Sequence, residues 1–163
     1  MLRFARTIRF DESDTLVFAR AAEAGEWAVP GGFAFANFTE ADLRGKARQA
    51  FANGWLSLES FGRATLVGVA RIEPAELEAV TVRLADHLLA VYGAPDAQTA
   101  RAAAEGEIAF MQELCEGHAP NTLLAVNRSL DEGGVREAFR AIVPADAELA
   151  AFAVHGHDPH AGD

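Results

Sequence analysis

Two runs of alternating residues, NTLLAVNRSL (121–130) and VREAFRAIV (135–143), flank Asp131-Glu132-Gly133-Gly134. Side chains along a strand point to opposite faces in turn. An Asp/Gly-rich turn between two alternating runs therefore predicts a β-hairpin, here over 120–130 and 135–143. Leu124, Val126 and Leu130 share one face with Val135, Phe139, Ala141 and Val143. A loop of two or of four residues keeps those faces aligned, and a four-residue loop sets Arg128 opposite Glu137, an opposite-charge cross-strand pair. A lone hairpin is marginal in water, so the rest of the chain has to supply neighbouring strands and a cover.

The cover is legible in three helical segments. Thr39 caps the first, with Asp42 three residues on and Gly54 at its end. The second opens with Glu73-Pro74, proline suiting the first helical position, and carries the stripe Leu77, Val80, Leu84, Leu88, Val91 before Gly93 and Pro95 stop it. Asp96 caps the third, whose stripe is Ala100, Ala104, Ile108, Met111 and Cys115, closed by Gly117 and Pro120. Spacings of three and four give the second and third helices one apolar face each. Gly106, inside the third helix, costs about 1 kcal/mol relative to alanine and suggests close packing.

Further strands are expected earlier in the chain. Leu2, Phe4, Ile8 and Phe10 alternate with Arg3, Ala5, Thr7 and Arg9, with Arg6 breaking the apolar side once. DESD (11–14) reads as a turn and TLVFARAA (15–22) as a returning strand. GEWAVPGGFAFANF (25–38) reads as a strand interrupted by Pro30-Gly31-Gly32, which places it at an edge or a bulge because proline donates nothing to a ladder. RATLVGVARI (63–72) is nearly continuous and apolar and reads as an interior strand. The order of elements predicts an α+β fold: a two-layer domain with a mostly antiparallel sheet of about six strands and three helices on one face. Residues 1–154 form the domain, with PADAELAAFAV (144–154) a short helix or the start of a tail, and 155–163 form a flexible tail.

Composition narrows the functions. The formal net charge of −10 argues against nucleic acid, whose phosphates need a basic stripe, and against an anionic membrane surface. The single cysteine, Cys115, excludes an intramolecular disulfide and favours a reducing compartment. Arg3, Arg6 and Arg9 break any apolar stretch a signal peptide would need, and no run approaches the roughly 18 apolar residues of a membrane helix. A cytoplasmic location is expected.

Ligand-type side chains are densest in the closing HGHDPHAGD, where His155, His157 and His160 accompany Asp158. Neutral imidazole binds zinc, nickel or copper, so the tract is a candidate for loose metal binding. Gly156, Pro159 and Gly162 favour a solvated tail. Cys115 and His118 are three apart, but Gly117 ends the helix between them, so a buried, inert cysteine is expected rather than a thiolate–imidazole pair. His87 beside Asp86 is no dyad, since adjacent helical residues face apart. Glu73, Glu76, Glu78, Glu105, Glu107, Glu113 and Glu116 lack the Glu/His spacing of di-iron helices and read as a solvated face. Trp27, Phe33, Phe35, Phe38, Phe51, Trp55 and Phe61 either fill the core or line an apolar pocket. Gly62 and Gly68 lack phosphate-loop spacing. Ser57, Ser60 and Ser129 lack the glycine-flanked nucleophile setting.

RFDESDTLVF, GEWAVPGGFAF, GKARQAFANGWLSLESFGRATLV, YGAP and NTLLAVNRSLDEGGVREAFRAI resemble stretches of a family of short proteobacterial proteins of unknown function, over roughly residues 1–143. The resemblance carries no catalytic signature. The resemblance implies a gene of the kind that often lies near a biotin/lipoate-ligase-like gene and near accessory genes of molybdenum-type formate dehydrogenases, and so accessory work beside cofactor enzymes.

The resulting expectation is a small accessory or interaction protein with no cofactor and no catalytic residue. It would bind another protein, or form a homo-oligomer, through a sheet edge, with Arg136 and Arg140 on the hairpin's more polar face as contact residues. A small-ligand binder or enzyme using the Trp27–Phe61 aromatics is the first alternative. A metal-handling protein using His155, His157 and His160 is the second.

Overall fold

The computed structural model describes residues 2–9 and 13–142; residues 143–163, with the end of the expected second hairpin strand, the 144–154 segment and the histidine tract, lie outside them. Among the described residues, seven strands and four α-helices run in the order β1 (Arg3–Ile8), α1 (Ser13–Val17), β2 (Ala28–Val29), α2 (Gly45–Asn53), β3 (Trp55–Ser57), β4 (Arg63–Ala64), β5 (Leu66–Arg71), α3 (Pro74–Val91), α4 (Ala97–Glu116), β6 (Leu123–Asp131) and β7 (Gly134–Ile142). Two short 3-10 turns, Gly32–Phe35 and Glu40–Asp42, precede α2. The mixture of helices with antiparallel sheet is the expected α+β class.

The strands form two sheets rather than one. Four pair antiparallel in the order β1-β5-β6-β7, and three in the order β2-β3-β4. A bridge between Arg6 and Trp27 and hydrogen bonds between Thr7 and residues 25 and 26 stitch the smaller sheet to β1. The hairpin has the expected register: Arg128 faces Glu137, Val126 faces Phe139, and the turn is Glu132-Gly133. Inward Leu124, Val126 and Arg128 alternate with exposed Asn127 and Ser129.

The two long helices follow their punctuation. Glu73 and Glu76 form a capping box before α3, Pro74 occupying its first position, and the Asp96 carboxylate accepts from the Thr99 N–H at the start of α4. Val80, Leu84 and Leu88 of α3 and the whole α4 stripe are buried with β-sheet residues such as Phe4, Val67 and Val126 in one apolar cluster; Leu77 is half-buried, and Val91, expected on the α3 stripe, is exposed. Burying each large side chain there contributes roughly 1.5–3 kcal/mol. Arg101 fixes the helix pair by gripping Glu78 across the gap and Glu105 on its own helix.

The expectations fail between residues 13 and 57. The 15–22 segment is not a strand: it holds α1 and a single bridge, Ala21 to Arg63. β1 already pairs with β5 on one side and meets residues 25–27 on the other, so no ladder position is open for it. The 25–38 strand lasts two residues. Pro30 ends it, and Gly31 at φ 69° turns the chain into a 3-10 turn. The Thr39–Asp42 capping box belongs to its own 3-10 turn, while α2 starts later, at Gly45. β3 had no sequence signal of its own, being three residues between a helix stop and a loop.

Candidate functional site

Three arrangements of polar side chains stand out. The first begins with parity on β6. Arg128 occupies the apolar face between Val126 and Leu130, so its guanidinium must enter the interior. Its side chain is 0% exposed. There it donates from Nε to Glu137 Oε2 (2.7 Å), from Nη1 to the carbonyls of Phe51 (3.0 Å) and Gly54 (2.9 Å), and from Nη2 to the Pro30 carbonyl. Phe51 lies in the last turn of α2, where carbonyls lack helical partners and a cation complements the dipole. Arg63 of β4 reaches the same place, donating to Gly54 O (3.1 Å) and Gly31 O (3.2 Å). Both guanidinium groups face the Phe35 ring, at 4.7 and 5.2 Å.

This clamp explains the Pro30-Gly31-Gly32 sequence. A Cβ on Gly31 would stand 2.5 Å from Leu56 Cβ, and one on Gly32 would stand 2.4 Å from Glu137 Oε2. Burial, then the charge of Arg128, lowers the Arg63 pKa; burial lowers that of Arg128 against the opposing pull of Glu137. Carbonyl oxygens and one carboxylate take up all three guanidinium nitrogens of Arg128 and both terminal nitrogens of Arg63, so the clamp ties together β4, β6, β7, α2 and the 30–32 turn.

The second arrangement is the loop between β3 and β4. The Ser57 hydroxyl accepts from the Glu59 and Ser60 N–H groups (2.9 and 3.1 Å). The Ser60 hydroxyl donates to Glu26 Oε1 (2.9 Å), and Glu59 Oε2 accepts from the Trp27 N–H (2.9 Å). Arg83 of α3 donates to the carbonyls of Leu58 (2.9 Å) and Glu59 (2.7 Å). Phe61 is thereby held at φ 58°, a region non-glycine residues rarely enter. Gly62 follows because a Cβ there would meet the Ala21 backbone at 2.6 Å. The Phe61 ring stacks on His87, centroids 3.8 Å apart and planes 6° from parallel, and Tyr92 then Phe33 continue the row edge-to-face at 5.5 and 5.2 Å. Burial, then Arg20, lowers the His87 pKa, which favours the neutral imidazole.

The third is the outward face of the hairpin. Arg136 and Arg140 are both exposed there, two β-repeats apart, and Arg136 pairs with Asp131. β7 is exposed along most of its length and, among the described residues, has a strand neighbour on one side only.

The remaining candidates separate. Cys115 is buried, and burial pushes its thiol up to about 12; His118 meets it through a backbone hydrogen bond. Trp27, Phe35, Phe51 and Trp55 are core residues, whereas Phe33, Phe38 and Phe61 are half-buried. His155, His157 and His160 lie outside the described residues, among which no group of three or more His, Cys, Asp or Glu could hold a metal. No helix among the described residues is long and apolar enough to cross a membrane. Sequence reasoning missed Arg63 and Arg83. It placed Arg128 opposite Glu137 without drawing the consequence of an arginine at an apolar-face position, which was the available signal.

The chain belongs to a family of unknown function (DUF6505), whose model matches residues 1–160. No curated protein and no solved structure matches it.

Proposed function

We propose, from the premise of membership in this family, that the protein is a small accessory protein that binds another protein through the β6–β7 hairpin. The observation that carries the reading is the exposure of β7: nine residues of regular strand, with a neighbour on one side among the described residues. Such an edge offers unpaired N–H and C=O groups to a second chain. The Arg128–Glu137 pair anchors the strand to the body, which lowers the ordering cost of docking. Arg136 and Arg140 would set register against carboxylates of the partner, while the overall charge of −10 steers the rest of the surface toward basic partners. The partner proposed is a protein of cofactor-enzyme maturation, as the sequence resemblance implies.

Affinity purification of the tagged full chain from its native cell, with mass spectrometry of bound proteins and metals, tests the reading. A stoichiometric partner that Arg136→Glu and Arg140→Glu release, with circular dichroism and Tm unchanged, supports it. A partner retained by the double charge reversal overturns it, as does the absence of any stoichiometric partner.

A further inference from the structure

We propose that the groove at Phe61, Arg83, Asp86 and His87 is a binding site for a small planar aromatic anion: one ring bearing a carboxylate or phosphate. This is independent of docking at β7. The groove has a volume of about 290 Å³, close to the lower bound of small-molecule sites, roughly 300 Å³.

Four observations converge. The loop carrying Phe61 is over-determined, by Ser57, Glu26, Trp27 and Arg83, into a backbone conformation that strains a phenylalanine. Such strain costs on the order of 1–3 kcal/mol and persists where the surroundings impose it, often at ligand sites. A chain optimised for that turn alone would carry glycine at position 61. Phenylalanine there extends a half-exposed row of aromatic rings, Phe61, His87, Tyr92 and Phe33, and a planar ring is the shape that such a row accepts. Next, among the described residues neither His87 nitrogen has a hydrogen-bond partner, and the neutral form that burial favours offers one donor and one acceptor.

The donors left unengaged supply the sign of the ligand. Arg83 uses Nε and Nη2 on the loop carbonyls, and its Nη1 makes no hydrogen bond among the described residues. The groove's own lining charges, Arg83 and Asp86, balance, and the Glu26 and Glu59 carboxylates of the loop are taken up by Ser60 and Trp27 donors. Arg83 Nη1 and the His87 N–H therefore remain to meet an acceptor, which a carboxylate or phosphate on the ligand's ring supplies and an ammonium does not.

The test is an NMR titration of the full chain, following the His87 ring C–H signals, with three probes: benzoate, cyclohexanecarboxylate and benzyltrimethylammonium. Benzoate should shift those signals saturably in the millimolar range that so small a ligand permits. Stacking on an aromatic ring is worth roughly 1–3 kcal/mol, so cyclohexanecarboxylate, which keeps the charge and loses the planar ring, should bind at least about fivefold more weakly. Phe61→Gly should weaken benzoate by a similar factor; glycine suits the left-handed backbone, so the variant keeps its fold. Arg83→Gln should weaken benzoate as well. The proposal is overturned if benzoate gives no saturable shift, if cyclohexanecarboxylate binds equally well, if benzyltrimethylammonium binds in preference, or if Phe61→Gly leaves the benzoate affinity unchanged.

Discussion

The protein places arginine beside phenylalanine twice, and the two places do opposite work. At Phe35, Arg63 and Arg128 are enclosed, and backbone carbonyls and Glu137 take up their donors. At Phe61, Arg83 lies 6.0 Å from the ring at the edge of an open groove, with one guanidinium nitrogen unengaged and a histidine beside it. Residue type does not distinguish the two sites. Burial does, since Arg63 is enclosed and Arg83 exposed although each engages two of its guanidinium nitrogens, and it assigns the first to stability and the second to recognition.

The largest effect should come from breaking the enclosed site. Arg128→Ala leaves the carbonyls of Phe51, Gly54 and Pro30 and the Glu137 carboxylate without this cation. Removing one partner of a buried ion pair typically costs about 3–5 kcal/mol, a large fraction of a stability of roughly 5–15 kcal/mol. Urea unfolding should show the drop as a lower midpoint. A midpoint within error of wild type would mean that the clamp is not a principal tie of the fold.

Gly31→Ala should be the next largest. The new Cβ would meet Leu56 Cβ at 2.5 Å on a backbone at φ 69°. Overpacking of this kind costs about 1–3 kcal/mol, and the left-handed backbone adds to it. The same urea titration reads it. Loss of less than about 0.5 kcal/mol, within the range of ordinary surface substitutions, would show that the 30–32 turn shifts freely and that the arginines do not fix it.

This contrast also marks what the sequence disclosed. Elements set by local rules were legible: the capped helices α3 and α4, the interior strand β5, and the hairpin with Arg128 opposite Glu137. Residues 13–57 were not, because their path follows from distant partners. The 30–32 turn answers to Arg63 and Arg128, 33 and 98 positions away counting from Pro30, and α1 lies where β1 has no free edge. At the candidate groove, His87 was visible only as a partly exposed histidine. Its stack with Phe61 depends on a left-handed residue inside a loop that no short-range pattern announces. The edge arginines, Arg136 and Arg140, needed only strand parity.

Titration separates enclosed from open groups as well. Burial pushes the Cys115 thiol from 9.0 to about 12, so between those values the folded state holds a proton that the unfolded chain has lost. The stabilisation is complete below pH 9 and is lost as pH rises toward 12, with a slope of up to about 1.4 kcal/mol per pH unit. Cys115→Ala should flatten that alkaline limb, and the native thiol should react slowly with a thiol reagent at neutral pH. Rapid modification would contradict its burial. His87 acts on the acid side. Its lowered pKa means that the unfolded chain binds the proton first, so its contribution is present above the ordinary value of 6.5 and declines as pH falls through the folded one.

The smallest change in stability should come from Phe61→Gly, although this residue is central to the open site. Two terms oppose each other. Glycine relieves the left-handed strain at φ 58° but gives up the stack on His87, worth about 0.5–1.5 kcal/mol, and adds freedom to the unfolded chain. The loop itself stays pinned, because its hydrogen bonds run through Ser57, Glu59, Ser60 and Arg83 and not through the Phe61 side chain. The net effect should stay within about 1 kcal/mol, a shift of roughly 2–4 °C in Tm for a domain of this size. A loss of several kcal/mol would move Phe61 into the same structural role as Phe35 and collapse the distinction between the two sites. A near-neutral result beside a crippled Arg128→Ala variant would leave the Phe61 ring with no structural reason for a conformation that glycine adopts more readily.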